Sequence, residues 1–476
     1  MPLEISDRAL RAFRQRQRRS TPAARWVLSL VVLLALVAGV TVVRAQRAGV
    51  PVVLLSIDGL KPDYVLEADR HGLKVPNLRR LVADGAHATG VRGVTPTVTY
   101  PSHTTLVTGV SPATHGILNN SPFDPMNTNA SGWYWYAEDI KVPTLWDAAG
   151  DAGLVTANVD WPVTVGARIR HSIIQFWRAP LAVPPGGDED HKLLRALSTP
   201  GLLDEAERTL GAYPAGYRYA PADDAKRANF MQWMIETKRP DLLTGYLASL
   251  DEAQHEHGPY DKTTLETLER LDALVGQVRA AAERTLGRRF VLAVASDHGH
   301  IQTDRAVHVN AALRQAGLID VDTKGAVSAW RAFAWTAGGS AAIVLHDPSD
   351  AQTRARAATA MRDLAADPAG PIDRILEAAE LPASGGFPGA ALVVGLKAGF
   401  RTGGALSGPL VTPVASPGGT HGFLPGPRDM EASFFVVGQG VTAGTSLGAI
   451  DMRDVAPTLA AKLGVALPRA QGRNRL

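Results

Sequence analysis

VVLLSIDG, Val52–Gly59, is an apolar run closed by an aspartate and a glycine. A short run of this kind without alternation suits a strand buried on both faces, as in parallel sheets. Strand-like and helical patterns alternate outward from it. VPNLRRLVADGAH (Val75–His87) and PTLWDAAGDAG read as helices, VTANVDW as a strand, and RANFMQWMIETKRP (Arg227–Pro240) as a helix. DLLTGYLASLD (Asp241–Asp251) reads as a strand, TTLETLERLDALVGQVRAAAERTLG as a long amphipathic helix, and RFVLAVASDHGH as a strand ending in polar residues. This alternation predicts an α/β fold with a central, mostly parallel sheet flanked by helices. APLAVPPGGDED, LPASGGFPGA and GFRTGGALSGPLVTPVASPGGTHG read as loops. AAIVLHDPSDAQTRARAATAMRDL adds an αβ stretch inside 301–420, expected to be an inserted cap or lid.

The chain has 476 residues, 45% hydrophobic and 20% charged, with 46 Gly and 32 Pro, enough for a large core with many loops. It has no cysteine, which excludes disulfides, thiolate chemistry and Cys-based zinc sites. The net charge of +3 is uneven: residues 1–45 hold eight Arg against Glu4 and Asp7, or +6, leaving −3 for residues 46–476. That mildly acidic body has no footprint for nucleic acid. After the basic leader (1–25) comes WVLSLVVLLALVAGVTVV, Trp26–Val43, long enough to cross a bilayer. Residues 26–45 are read either as a transmembrane signal anchor or as a signal-peptide core, with Val43 and Ala45 placed before a cleavage point at Gln46. The long leader tilts the reading toward an anchor. In both cases the arginines stay in the cytoplasm and residues 46–476 are expected to be exported, periplasmic or on the cell surface.

Three of the strand-like runs end in aspartate: Asp58, Asp251 and Asp297. A lone strand-terminal Asp is usually a turn former, but ligands of open α/β sheets gather beyond the carboxyl ends of strands. Three such residues, two followed closely by histidine, point to a site. Asp251 and His255 in LDEAQHEHGP share one face of a helical turn. Asp297 and His298 are adjacent in SDHGH, and His421 stands in GGTHGF, where glycines let the backbone approach closely. Carboxylates and imidazoles without thiolate suit zinc in a catalytic role. His71, His87, His171, His191 and His346 are read as ordinary histidines. His115, His257, His300 and His308 stay open, with His257 and His300 as candidates for holding the ligands in place.

TVTYPSHTTLVTG, Thr97–Gly109, sets Thr99 just ahead of Pro101 and ends in a glycine stop, so Thr99 is expected at a helix N-terminus, where an anion is favoured. Its hydroxyl is either a cap or a nucleophile. A divalent metal would lower its pKa enough for the second role, and the Asp and His residues favour that role.

SIDG (Ser56–Gly59), TYPSHTTLVTG (Thr99–Gly109), HGILNN (His115–Asn120), LDEAQHEHGP (Leu250–Pro259), SDHGH (Ser296–His300) and GTHGF (Gly419–Phe423) together resemble the nucleotide pyrophosphatase/phosphodiesterase branch of the alkaline phosphatase superfamily. The resemblance runs from about 51 to 465 in order and spacing. It implies an alkaline-phosphatase-like catalytic domain and a site for two divalent ions, with zinc expected. Asp251, His255 and His421 would hold one ion, and Asp58, Asp297, His298 and Thr99 the other. It further implies attack by Thr99 through a covalent phospho-threonine, with Asn120 and the backbone N–H after the nucleophile donating to a phosphoryl oxygen. Tyr100 and Tyr246 match positions whose rings sandwich a nucleotide base, and WYWYAED (Trp133–Asp139) matches an aromatic stretch near the pocket; packing is the ordinary role for all of them. The expected activity is hydrolysis of a small phosphodiester or nucleotide pyrophosphate. The chain departs from the family's nucleotide-hydrolysing members at Ser102, Leu250 and Gln254, which leaves the substrate open among nucleotides, phospholipid head groups, phosphomonoesters and phosphonates. A phosphomonoesterase would need another cation, with Arg168, Arg170 and Arg178 as candidates. A non-catalytic, membrane-anchored metal-binding protein is the alternative of a different class. A sulfatase is disfavoured, since its nucleophile position needs Cys or Ser.

Overall fold

The computed structural model describes residues 49–129, 132–178, 188–216 and 219–476. The leader and the expected anchor or signal (1–25 and 26–45) lie outside these residues, as does most of the APLAVPPGGDED stretch. Among the described residues no helix is long and apolar enough to cross a membrane. Val50–Leu476 form one compact unit.

Its centre is an eight-stranded sheet of β1 (Val52–Ile57), β2 (Ala86–His87), β3 (Thr156–Val159), β4 (His171–Ile173), β5 (Leu242–Leu247), β6 (Val291–Ala295), β7 (Phe434–Gly438) and β8 (Thr445–Ser446), in the spatial order β8-β2-β7-β6-β1-β5-β3-β4. The run from β6 to β4 is parallel, and β7 joins antiparallel to β6 and β2. The missing alternation in VVLLSI has a direct cause. Val53, Leu55 and Ile57 enter the core on one face of the sheet, and Val52 and Leu54 enter the core on the other. Helices spanning Pro76–Asp84, Pro221–Lys238 and Lys262–Leu286 cover the first of these faces.

Residues 301–420 build two larger sheets besides a two-stranded one of Ile319–Val321 and Val327–Trp330. One is antiparallel and four-stranded, from Ala332–Thr336, Ser340–Leu345, Leu392–Leu396 and Ile372–Glu377, with the helix Ala351–Ala365 packed on it. The other pairs Ile301–Val307 with Gly399–Thr402 and Val411–Thr420. The stretch GFRTGGALSGPLVTPVASPGGTHG is therefore largely strand, where the sequence suggested loop. Its register shifts between Pro413 and Gly418, and Pro sits on an edge strand, where a missing N–H costs no ladder bond. Gly and Pro mask such a strand in the sequence.

Candidate active site

The register of the sheet sets the site. Neighbours β6, β1 and β5 run parallel, with Ile57 opposite Leu247 and Ser56 opposite Ala295, so their carboxyl ends lie side by side. Asp58 directly follows β1, and Asp297 follows β6 by one residue. Asp251 does not sit at a strand end as the sequence suggested. After β5 the chain turns at once into the helix Ser249–His257, which carries Asp251 in its first turn and His255 one turn later. Gly59, next after Asp58, takes φ +70° where the chain leaves β1, and its N–H donates to Asp297 Oδ1 at 3.1 Å. His421 arrives on the edge strand ending at Thr420. A side chain at Gly418 would put its Cβ 2.1 Å from the His255 carbonyl oxygen, so that close approach requires glycine.

The side chains converge. His298 Nε2 lies 3.0 Å from Asp297 Oδ2 and 3.4 Å from Asp58 Oδ1. Around Asp251, His255 Nε2 is 3.4 Å from Oδ2, while His300 Nε2 and His421 Nε2 are 3.2 and 3.8 Å from Oδ1. The His298 and His421 rings stack with centroids 3.8 Å apart. His255 Nδ1 donates to the Gly419 carbonyl at 3.1 Å and His298 Nδ1 to that of Gly299 at 3.2 Å, which leaves both Nε2 atoms as acceptors. Asp58 Oδ1, Asp251 Oδ1, Asp297 Oδ2 and His298 Nε2 are buried without a hydrogen-bond partner. Burial raises the pKa of all three carboxyls, and the neighbouring carboxylates raise Asp58 and Asp251 further. Burial lowers the four imidazoles, His255 to about 4. Orphaned carboxylate oxygens facing neutral imidazole nitrogens are costly alone and complementary to divalent cations. The sets Asp251, His255, His300, His421 and Asp58, Asp251, His298 each offer ligand atoms within 4.8 Å of one another.

Thr99 is the first residue of the helix Thr99–Thr108, which is buried along its whole length and stops at Gly109 with φ +72°. The structure adds a residue that the sequence reading passed over. His103, one turn after Thr99 and fully buried, has Nδ1 at 2.8 Å from the Thr99 carbonyl and Nε2 at 2.8 Å from Ser56 Oγ. Its i+4 spacing from Thr99 was the available signal. Asn120 Oδ1 accepts the Tyr100 N–H at 2.8 Å. The two expected phosphoryl donors thus meet each other, and Asn120 keeps its Nδ2 as donor. Tyr100 and Tyr246 are buried, 1% and 4% exposed. Tyr100 donates its hydroxyl to Gln175 at 2.6 Å and Tyr246 donates to Asp58. Trp133 packs edge-on against Tyr100 with centroids 5.1 Å apart. Both rings are packed into the walls of the site.

A cleft of about 370 Å³ opens beside Asn120 and His421 and is walled by Phe123, Phe333 and Trp335. The cations considered for a monoester are largely engaged elsewhere: Arg168 pairs with Asp147 and Asp151, and Arg178 with Asp190. Among the open histidines, His115 is a buried brace that receives the Ile117 N–H, His257 is a half-exposed neighbour of Glu256, and His308 bonds Thr412.

A sequence profile described as type I phosphodiesterase/nucleotide pyrophosphatase matches residues 52–383. Venom phosphodiesterase 2 of Crotalus adamanteus is 26% identical over 273 residues, 54% of this chain and 28% of that protein. Human ectonucleotide pyrophosphatase/phosphodiesterase family member 1 is 27% identical over 261 residues, 52% of this chain and 23% of that protein. The chain thus matches little more than a quarter of the first of these relatives, at 28%. Among solved structures, murine ectonucleotide pyrophosphatase/phosphodiesterase 5, as an inactive variant in complex with AMP, superposes with a TM-score of 0.62 at 17% identity, covering 89% of this chain and 97% of that one. The superposition shows a shared fold, and the profile spans most of the chain, which belongs to the type I phosphodiesterase/nucleotide pyrophosphatase family.

Proposed function

We propose that this protein is an exported, metal-dependent phosphodiesterase or nucleotide pyrophosphatase that works through a covalent phospho-threonine at Thr99. The observation that carries the reading is the set of orphaned, buried carboxylate and imidazole atoms beyond the ends of β1, β5 and β6 in a chain of this family. Asp251, His255 and His421 would hold one divalent ion, and Asp58, Asp297, His298 and Thr99 the other. Zinc is the expected ion for these nitrogen and oxygen donors. Bound there, such ions supply Lewis acidity: they neutralise phosphoryl charge and lower the pKa of a coordinated hydroxyl.

The chain's own residues do the rest. The helix Thr99–Thr108 presents Thr99 at its N-terminal end, where a phosphoryl anion is favoured. Thr99 Oγ1 attacks phosphorus and expels the alcohol or phosphate leaving group; water then cleaves the phospho-threonine and restores the hydroxyl. Asn120 Nδ2 donates to a phosphoryl oxygen, its amide oriented by the Tyr100 N–H. Segment 301–420 acts as a cap, placing Phe333 and Trp335 over the cleft for the leaving group. The pairing of Arg168 and Arg178 with carboxylates leaves those two cations spoken for and favours a diester over a monoester dianion. We read the N-terminal segment as the export signal or anchor.

Bis-p-nitrophenyl phosphate and p-nitrophenyl phosphate test the reading on the zinc-loaded full chain. A diester preference is expected, with Thr99→Ala lowering the diester rate by about a thousandfold or more. Equal rates in wild type and variant would remove Thr99 as nucleophile, and a monoester preference would move the assignment to a phosphatase.

A further inference from the structure

His300, the second histidine of SDHGH, belongs to neither of the ligand sets proposed for the two ions, which are Asp251, His255 and His421, and Asp58, Asp297, His298 and Thr99. Its ring is 0% exposed, and neither ring nitrogen has a hydrogen-bond partner. Nε2 lies 3.2 Å from Asp251 Oδ1, and that oxygen is itself without a hydrogen bond. The two atoms are close, yet they do not satisfy each other. Two donors held tetrahedrally at about 2.0–2.1 Å from one zinc ion are about 3.3 Å apart. Two contacts of Asp251 are near that spacing, Oδ1 to His300 at 3.2 Å and Oδ2 to His255 at 3.4 Å, and His421 lies 3.8 Å from Oδ1. One donor atom from each of the four residues fits within 4.8 Å. The ring is seated by glycines: a Cβ at Gly59 would lie 3.1 Å from its Nδ1, and one at Gly419 would lie 3.0 Å from its Cδ2.

We propose that His300 is a fourth protein ligand to the ion held by Asp251, His255 and His421, giving a shell of three imidazoles and one carboxylate for a borderline divalent cation such as zinc. The proposal rests on the metal reading above and adds a residue to it. Four charged or imidazole side chains then surround this ion, whereas the other has Asp58, Asp297 and His298 with the weakly donating Thr99 hydroxyl as its fourth. The two ions are then held unequally, and a chelator withdraws the one at Asp58, Asp297 and His298 first.

The test uses the full chain, labelled with ¹⁵N-histidine and loaded with ¹¹³Cd²⁺, with ring nitrogens assigned by comparison with His255→Gln, His300→Gln and His421→Gln. A ¹¹³Cd–¹⁵N coupling at His300 as well as at His255 and His421 is the expected result; a hydrogen bond from His300 to Asp251 would give none. Coupling at His255 and His421 without His300 overturns this proposal and leaves the metal reading standing. Coupling at no histidine overturns both. Chelator competition on the zinc-loaded protein gives a second readout: His300→Gln and His300→Ala should each weaken one site by more than about tenfold. Unchanged affinity at both sites would reject His300 as a ligand.

Discussion

At the scale of single residues, two buried histidines outside the proposed ligand set invite opposite tests. His103 touches the Thr99 carbonyl and the Ser56 hydroxyl, so it is a positioning residue for the nucleophile. His103→Gln is expected to lower kcat by roughly tenfold or more, about 1.4 kcal/mol in barrier, with KM little changed; a fall in melting temperature with kcat intact would make it a packing residue only. His115 is held neutral, its pKa pushed down to about 3 by burial. As pH falls below about 6.5, the unfolded chain takes up this proton and the folded chain does not, so the group withdraws stability toward acid. The withdrawal is roughly 1.4 kcal/mol per pH unit, running down to about pH 3, and none of it is present above neutrality. Urea unfolding of His115→Asn at a series of pH values should therefore show a shallower acid slope than wild type. Parallel slopes would mean that His115 is protonated in the fold.

At the scale of elements, much was legible, and what was not has physical reasons. The runs at Val52–Ile57, Leu242–Leu247 and Val291–Ala295 are apolar because both faces of the sheet are covered, and that signal survives in sequence. The bend from β5 into a helix at Ser249 left no strong punctuation, so Asp251 looked strand-terminal. Val411–Thr420 read as loop because the glycines that bring it against the helix Ser249–His257 are themselves turn residues. The ligand candidates were read from Asp and His spacing, and His300 was named only as a residue that could hold them in place, since nothing in SDHGH says which of its histidines turns inward. The glycine approach makes a prediction of its own. Gly418→Ala would drive a methyl to 2.1 Å from the His255 carbonyl oxygen, and overpacking of this kind costs about 1–3 kcal/mol. The strand carrying His421 should shift, lowering both zinc content and melting temperature. Wild-type zinc content in that variant would show that the strand is not held by this contact.

For the whole molecule, the site is where separate parts of the chain are tied together. Asp58, Asp251 and Asp297 come from three neighbouring segments at one edge of the central sheet, while His300 and His421 flank the three-stranded sheet built on Ile301–Val307. Without a cation, three clustered carboxyls, two of them fully buried, press toward their protonated forms; with one, the same groups become a cross-link. An ion that binds only the folded chain stabilises it by about 2.7 kcal/mol per site at a hundred times its dissociation constant. Scanning calorimetry with zinc and after exhaustive chelation should show the melting temperature rise by several degrees with metal. Hydrogen exchange should then slow most in Val411–Thr420 and the helix Ser249–His257, the two elements that meet at His255. A melting temperature indifferent to metal would mean that the carboxylates are accommodated by the fold alone, and the reading of this edge of the sheet as a metal site would fall with it.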